Sequence, residues 1–287
     1  MPTACGTAVL TVLNLKGGVG KTHTSWLLAS VAQERHQRVL LIDLDTQGNL
    51  SGSFLAQSDF RPGVESFFDP GAETDPQTLV RHTAHSHIDI IPGSAALAPF
   101  DLSNQRQWEQ ADLHLGLVDA VSQLRSSYDY IVFDCPPRLS LVSFAALCAS
   151  DAVIIPMEAA DWGAQGIVQV TAAIEYVKSR FNGRLQLLGY LVSRFKRSRS
   201  YQKTYLQQLR THFTDRAMDT VLPDLAQFEK SVTDRIPITA HAPRSKAAGI
   251  ARDFFDEVER RLAQIQPSGD GRGRPRVQQR PVATVPV

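Results

Sequence analysis

The feature that most constrains this fold is a glycine-rich turn between two patterned segments. Residues 8–15 are apolar and rich in β-branched side chains, which is typical of a strand buried in a parallel sheet. Residues 22–37 carry apolar side chains at helical spacing, and 38–44 predicts a second buried strand. The turn reads Lys16-Gly-Gly-Val-Gly-Lys-Thr22. A glycine turn between a buried strand and a helix is the setting of a phosphate-binding loop.

The turn departs from the usual phosphate-loop pattern, G-x-x-x-x-G-K-[ST]. Gly20, Lys21 and Thr22 match its end, but Leu15 stands where the first glycine belongs. Lys16 is a further lysine that the ordinary loop does not require. The turn is therefore a chance glycine-lysine run, a damaged phosphate loop or a loop built for a different task.

Each loop residue has an expected task in phosphate binding. Lys21 would neutralise the β- and γ-phosphates of a nucleotide, and the Thr22 hydroxyl would ligate Mg²⁺. Backbone amides at the start of a helix would contact phosphate oxygens, and these amides belong to Gly17, Gly18, Val19 and Gly20. The alternative is a turn that merely caps a helix. Three glycines, a lysine and a threonine between a strand and a helix argue against it.

The rest of the pattern predicts an α/β fold. Further strands are expected at 88–91, 130–134, 152–156 and 185–192, with helices at 113–124 and 166–181. This alternation predicts an open, mostly parallel twisted sheet with helices on both faces, and ligands bind such sheets at the carboxyl ends of the strands. Residues 57–78 carry few apolar anchors, so we interpret them as a surface excursion.

Two parts of the chain are expected. The chain has 287 residues, of which 43% are hydrophobic and 21% charged, so it can bury a full core. Residues 1–264 would form one P-loop ATPase domain, with a terminal amphipathic helix that starts near residue 253. Residues 265–287 are rich in Pro, Gly and Arg without periodicity, and this composition predicts a disordered tail.

Three aspartates follow predicted strands at the expected ligand edge. Asp134 ends a strand across from the loop, in the position where an aspartate holds Mg²⁺ in P-loop proteins. Asp45 is the candidate for positioning the attacking water, and Asp43 would support Mg²⁺ or the loop. The alternatives are a loop carboxylate before a Pro-Pro turn for Asp134 and a helix cap for Asp45.

Four motifs, in this order and spacing, resemble a ParA-type member of the ParA/MinD family of deviant Walker-A ATPases. They are the turn 16–22, Val39-Leu-Leu-Ile-Asp-Leu-Asp-Thr-Gln-Gly-Asn49, Tyr130-Ile-Val-Phe-Asp-Cys-Pro-Pro137 and the segment 152–156. The resemblance extends over residues 8–264 and is most specific in the first three motifs. It implies a P-loop NTPase fold, ATP and Mg²⁺ as cofactors, and slow, partner-stimulated hydrolysis of ATP.

The resemblance also gives Lys16 a task. In this family the additional lysine is a signature residue that reaches across a homodimer to the partner's nucleotide, so that two monomers would enclose two ATP molecules. A cation that arrives at the γ-phosphate stabilises both the dimer and the charge of the transition state. ATP would favour the dimer, and hydrolysis would release it. Lys16 therefore joins Lys21 and Asp45 as a candidate catalytic residue.

Two further nucleotide contacts lie where the family pattern is only partly kept. Position 23 commonly holds threonine in the family, and here it is His23. Its backbone amide can still serve the phosphates, but the pattern does not explain its side chain. Pro223 is expected near adenine together with Ser193 and Arg194, although Asp224 stands where the family often has arginine.

The densest basic stretch, 193–203, is not interrupted by any acidic residue. Contacts to a phosphate backbone require such sequence-independent charge, and the formal net charge of +1 means that a nucleic-acid surface must be local. The resemblance implies ATP-dependent, non-specific DNA binding by the dimer. The candidate DNA contacts are Arg194, Lys196, Arg197, Arg199 and Lys203, with Arg235 from a second basic group. The alternative is a solvated loop and helix face.

Two other functions remain open from the sequence. One is a P-loop enzyme of the related fold that acts on a small molecule. The other is a MinD-like positioning ATPase, but the tail lacks the apolar face of a membrane helix and no apolar run approaches the roughly 18 residues of a membrane span. The favoured hypothesis is a cytoplasmic, nucleoid-associated ATPase that segregates or positions DNA or another cargo. It would work with a ParB-like or cargo-adaptor partner and without a membrane.

Overall fold

The computed structural model describes residues 6–69, 74–101, 112–159 and 164–265. Within this part of the chain, eight strands form one sheet. The strands are β1 (Ala8–Val12), β2 (Val39–Asp43), β3 (Arg81–His82), β4 (Ile88–Ile91), β5 (Tyr130–Asp134), β6 (Ala152–Glu158), β7 (Gln186–Phe195) and β8 (Ala217–Pro223). Their spatial order is β3-β4-β2-β5-β1-β6-β7-β8, and only the β3–β4 pair is antiparallel. The open, mostly parallel sheet predicted from the sequence is confirmed.

Helices cover both faces of this sheet. They are α1 (Lys21–Glu34), α2 (Asn49–Phe54), α3 (Pro76–Leu79), α4 (Leu115–Leu124), α5 (Leu141–Ala149), α6 (Ala164–Arg180), α7 (Ser200–Phe213), α8 (Ala226–Thr233), α9 (Ile238–His241) and α10 (Lys246–Ile265). Ile131 and Phe133 of β5 pack into one core cluster with α4, α5 and α6, whereas Val132 packs into the other with α1 and α10. Both faces of the central strands are therefore buried, which explains their continuous apolar sequence.

Most of the predicted elements are present, with shifted ends. β4 and β5 have the predicted bounds, while β6 and β7 continue to Glu158 and Phe195. The terminal helix begins earlier than predicted, at Lys246, and its Phe254 and Phe255 are buried in the core. The predicted tail starts at residue 265, but Ile265 still belongs to this helix, and the rest of the tail, 266–287, lies outside the described residues. No described helix is both long enough and apolar enough to cross a membrane.

The interpretation of 57–78 as a surface excursion is wrong for its middle part. Val64 and Phe68 are fully enclosed, and Phe60 and Phe67 are buried. Most of this part is a short 3-10 helix, Val64–Phe68, and the spacing of its buried side chains matches neither an α-helix nor a strand. The sequence pattern therefore did not predict a buried element here. The apolar residues of this part nevertheless complete the core on both sides of β2 and β4.

The strand order of the sheet brings the residues expected to bind a ligand to one edge. β1 lies between β5 and β6, and β5 lies between β1 and β2. Asp134, the last residue of β5, is in register with Val12 of β1 and with Asp43 of β2. The glycine loop that follows β1 therefore starts beside two acidic strand ends, at the edge where parallel sheets bind their ligands.

Candidate functional site

The loop between β1 and α1 is shaped by its glycines and anchored to β7. Gly18 and Gly20 have φ angles of 79° and 85°, a region that glycine adopts without strain. The Ser193 hydroxyl donates a hydrogen bond of 2.6 Å to the Val19 carbonyl. Because Val19 and Ser193 are both buried, the loop is fixed against the end of β7 before any ligand arrives.

The two lysines of the loop lie in different environments. Lys21, the first residue of α1, is 8% exposed, and its Nζ donates to the Lys16 carbonyl at 3.2 Å. Burial lowers the pKa of Lys21, and the nearby Asp134 carboxyl opposes this shift. The Lys16 side chain is 48% exposed at the rim of the loop. One lysine therefore lies inside the site, and the other lies at its mouth.

The Asp134 carboxylate lies beside Lys21, and one of its buried oxygens has no protein partner. The residue is 1% exposed, and its Oδ1 accepts no hydrogen bond within the described part of the chain. Burial raises the pKa of Asp134 well above its usual range, and the neighbouring Asp43 carboxyl raises it further. A hydrogen bond from the Thr22 side chain acts in the opposite direction. A cation at Oδ1 would relieve this destabilised charge, so Asp134 and Thr22 fit a divalent metal ion.

Protein side chains alone do not complete a metal site here. In the described ranges, no group of three or more His, Cys, Asp or Glu residues is arranged to hold a metal ion. Mg²⁺ usually keeps several water ligands and shares one or two protein ligands with substrate phosphates. The arrangement of Asp134 and Thr22 therefore suits a metal ion that arrives with a nucleotide.

Asp43 is fully buried, and both of its carboxylate oxygens are held by neighbours. Oδ2 accepts from the Ser51 amide at 2.8 Å and from the Ser51 hydroxyl at 2.7 Å, while Oδ1 accepts from the Asp45 amide at 3.1 Å. Burial raises the pKa of Asp43 to about 6 despite these bonds. These bonds hold the turn of residues 45–51 and not the phosphate loop, and both oxygens that could ligate Mg²⁺ already have protein partners.

Asp45 lies in the turn after β2 and is partly exposed. Its Oδ1 accepts a hydrogen bond from the Gln47 amide at 3.0 Å, which orients the carboxylate within the turn. Asp45 is close enough to Lys21 and Asp134 to influence the pKa of both. A carboxylate at this edge, reachable by water and next to the phosphate loop, has the placement needed to orient a nucleophilic water.

Glu158, at the end of β6, lies between two cations at the mouth of the loop. Its Oε2 is 3.9 Å from Lys16 Nζ, and its Oε1 is 3.9 Å from Arg194 Nε. Arg194 Nη1 also donates to the Gly18 carbonyl at 3.1 Å. Arg194, which the sequence grouped with the DNA contacts, thus lies at the phosphate loop. Sequence reasoning missed Glu158, because a single acidic residue after a strand forms no pattern.

A cavity of about 380 Å³ opens beside the loop. Gly18 and Gly20 border it, and His23, Arg194 and Pro223 line it. The structure therefore brings together three residues that the sequence linked to the nucleotide through separate motifs. Phe228 of α8, for which the sequence gave no functional signal, also lines the cavity.

The basic residues after β7 line a second, wider groove of about 1440 Å³ between α7, β8, α8 and α10. Lys196, Arg197 and Lys203 lie there, joined by Arg210 of α7. Acidic residues line the same groove, and Lys196 forms an ion pair of 3.0 Å with one of them, Asp224. The groove is therefore of mixed charge, unlike the sequence stretch from which it was predicted.

The two remaining candidate DNA contacts do not line this groove. The Arg199 guanidinium lies 5.9 Å from the ring centre of Tyr201, and both side chains are exposed at the start of α7. Arg235 follows α8, and its carbonyl accepts a hydrogen bond of 2.7 Å from His85, in the turn between β3 and β4. The sequence could not predict that these basic residues lie at different places on the surface, because their positions depend on burial and on the order of the strands.

The comparisons with known proteins agree with this geometry. Residues 7–187 match a family model described as an AAA domain. The sporulation initiation inhibitor protein Soj of Bacillus subtilis is 29% identical over 251 residues, which cover 87% of this chain and 97% of Soj. The chromosome partitioning protein ParA of Myxococcus xanthus is 30% identical over 241 residues, which cover 83% of each chain.

A solved structure with the same fold is that of cobyrinic acid a,c-diamide synthase from Mycobacterium smegmatis with a bound ATP analog and magnesium. Its TM-score is 0.75 at 24% identity, and the match covers 91% of this chain and 97% of that one. A phosphate loop between a central parallel strand and a helix, with an acidic strand end beside it, defines a P-loop NTPase. With the family model and these relatives, the chain belongs to the ParA/MinD family of P-loop ATPases, as the sequence motifs indicated.

Proposed function

We propose that this chain is a ParA-like ATP hydrolase whose ATP-bound homodimer binds DNA non-specifically and segregates or positions DNA or another cargo. The observation that carries the proposal is the different position and burial of the two loop lysines. Lys21 is buried beside Asp134, while Lys16 lies half exposed at the rim, where a second subunit can reach it. A lysine in that position suits a nucleotide bound by a partner chain better than its own.

ATP with Mg²⁺ is the nucleotide that the site suits. The phosphates would lie against the loop amides and Lys21, and the nucleoside would enter the neighbouring cavity toward Pro223. Asp134, through its partnerless Oδ1, and the Thr22 hydroxyl would hold Mg²⁺. The metal ion supplies charge neutralisation at the β- and γ-phosphates. Asp45 would orient the attacking water, and Lys16 of the second subunit would stabilise the developing phosphate charge.

DNA would contact the exposed cations at the end of β7 and the start of α7. Arg197, Arg199 and Lys203 are exposed there, whereas Lys196 is already paired with Asp224. The same strand end holds the phosphate loop through its Ser193 and Arg194 bonds. The residues that hold the loop are therefore close in sequence to the cations proposed to bind DNA, so nucleotide binding could affect both. A homodimer would present two sets of these cations.

The proposal is tested by gel retardation of non-specific DNA with ATP, with ADP and without nucleotide. We expect retardation with ATP and Mg²⁺ only, and we expect Arg197→Ala with Lys203→Ala to weaken it and to lower its salt dependence. Arg184→Ala is the matched control, because Arg184 is an exposed cation at the opposite end of β7. Equal retardation with and without ATP at low salt would contradict the proposal.

In the cell, the chain would be cytoplasmic and associated with the nucleoid, with hydrolysis stimulated by a ParB-like or cargo-adaptor protein. The name of the Myxococcus xanthus relative, a chromosome partitioning protein, supports a partition role. The apolar face of α10 is buried against the sheet, so that helix does not offer a membrane-binding surface for the MinD-like alternative. Liposome sedimentation should accordingly detect no ATP-dependent binding.

One observation favours the small-molecule alternative. The wide groove shares Pro223, Asp224, Leu225 and Glu229 with the cavity beside the loop, so a second substrate there would lie next to the nucleotide. An ATP-dependent synthetase needs such a neighbouring site. Hydrolysis that stays slow with DNA and partner protein but rises with a small carboxylic acid would support this alternative.

A further inference from the structure

His23 has an environment that the phosphate loop alone does not explain. It is the third residue of α1, and its ring centre lies 4.8 Å from that of Phe228, with the rings 68° apart. This edge-on contact fixes the orientation of the imidazole. The ring is enclosed by protein atoms but keeps some exposed surface, because it lines the cavity of about 380 Å³ beside the loop.

The imidazole has hydrogen-bonding capacity that the protein does not use. Its ring nitrogens form no hydrogen bond with any residue in the described ranges. Neither nitrogen is fully buried, so a ligand in the cavity can reach them. Such a ligand can therefore supply the hydrogen-bonding partner that the protein does not.

The cavity walls indicate which part of a nucleotide the ring would meet. Gly18 and Gly20 of the phosphate loop line the cavity, and so do the apolar Leu222, Leu225 and Val232. A nucleotide whose phosphates lie on the loop would extend its sugar and base into this space. Pockets of this size, mostly apolar with a few polar groups, are typical of small-ligand sites.

We propose that His23 is a specificity-determining residue of this site, whose imidazole, oriented by Phe228, exchanges a hydrogen bond with the nucleoside part of the nucleotide and not with its phosphates. The inference rests on the proposed binding of ATP and names a contact that the phosphate-loop pattern does not include. The ring lines the cavity into which the sugar and base would extend, and its nitrogens suit a sugar hydroxyl or a ring nitrogen of the base.

The test measures the affinity of the full chain for ATP and ADP in the presence of Mg²⁺ by calorimetry. His23→Phe keeps the ring contact with Phe228 but removes the hydrogen bond, so ATP and ADP should both bind about 3- to 10-fold more weakly, by the same factor. His23→Gln, which restores a donor and an acceptor, should recover most of the loss. His212→Phe, at the exposed end of α7, is the matched control and should bind as the wild type does.

Two further arms separate the possible contacts. Affinities for 2′-deoxyATP and GTP show whether the wild-type preference that His23→Phe loses concerns the sugar or the base.

Two results would overturn the inference. They are ATP binding by His23→Phe within 2-fold of the wild type, or a loss of affinity confined to ATP. The second would indicate a phosphate contact. If the wild type itself does not bind ATP with Mg²⁺, the proposed function is wrong. If the wild type binds ATP and His23→Phe binds it equally well, only the inference about His23 is wrong. Thermal unfolding without nucleotide checks that each variant is folded.

Discussion

The Glu158 carboxylate lies 3.9 Å from Lys16 Nζ and 3.9 Å from Arg194 Nε, so that one anion is shared by two cations at the mouth of the phosphate loop. Nucleotide phosphates near the mouth of the loop would compete with this carboxylate for both cations. Ion pairs this exposed contribute about 0–1 kcal/mol, so a nucleotide can break the pair between Glu158 and Lys16. In the proposed dimer, Glu158 would therefore oppose the movement of Lys16 toward the nucleotide of the second subunit.

Glu158→Gln should accordingly favour the ATP-bound dimer. Removing the carboxylate takes away one partner of Lys16 and also a negative charge next to the phosphates. We expect half-maximal dimer formation at an ATP concentration about 2- to 5-fold lower, measured by light scattering during titration with ATP. Glu175→Gln, an exposed acid on α6, is the control. An unchanged or higher ATP requirement for Glu158→Gln would argue against the restraint.

Lys16→Ala should separate nucleotide binding from dimer formation. Lys21 and the loop amides remain, so the monomer should bind ATP within about 3-fold of the wild type. Dimer formation should be lost, and turnover should fall by about 100-fold, as on removal of one transition-state donor elsewhere. Lys21→Ala is the contrasting variant and should lose ATP binding itself. Intact dimers and normal turnover in Lys16→Ala would contradict a role across the subunit interface.

The sequence predicted the part of the site that local patterns determine. The loop, its two lysines and the strand ends at Asp43 and Asp134 are each next to a buried apolar run, and parallel strands bring their carboxyl ends to one edge. Glycines and lysines at fixed spacing therefore predict phosphate contacts from their order in the chain. The register between β2 and β5 then placed Asp43 and Asp134 side by side.

The parts that the sequence did not predict depend on contacts between distant segments. Ser193 holds the loop from 174 positions away along the chain, and Phe228 orients His23 from α8. Only the fold reveals these contacts, because the sequence placed Ser193 near adenine and gave no functional signal for Phe228. Arg194 was expected both near adenine and among the DNA contacts, and its positive φ of 52° and its bond to Gly18 bring it to the phosphate loop.

Asp45→Ala should slow hydrolysis without preventing ATP binding. Asp45 lies at the rim of the site, and the Gln47 amide orients its carboxylate, so the change removes the group that would position water and leaves the loop intact. We expect phosphate release to fall by about 100-fold and ATP-bound dimer to accumulate on DNA, measured by phosphate release and DNA retention. Asp59→Ala, an exposed acid after α2, is the control. Rapid turnover in Asp45→Ala would exclude this role.

The buried pair Asp43 and Asp134 predicts an unusual dependence of stability on pH. Burial raises the pKa of both carboxyls, to about 6 for Asp43, whereas aspartate in an unfolded chain titrates near 4. Between these values the folded protein binds more protons than the unfolded chain. Without nucleotide, the contribution of these groups to the free energy of unfolding therefore falls as the pH rises through about 6, and the effect disappears below about 4.

Asp134→Asn removes one of the two buried charges and should therefore stabilise the nucleotide-free protein at pH 8. We expect Tm to rise by a few degrees, since about 1 kcal/mol corresponds to about 2–4 °C for a domain of 150–250 residues. The rise should shrink toward pH 5, because the raised pKa values of both carboxyls favour their protonated forms as the pH falls. In the wild type, the stabilisation by Mg²⁺ with ATP should grow from pH 5.5 to 7.5, because the metal favours the deprotonated form, and Asp134→Asn should lose it. Calorimetry of both proteins across this range checks the prediction, and a lower Tm of Asp134→Asn at pH 8 would show that the Asp134 charge is stabilising instead.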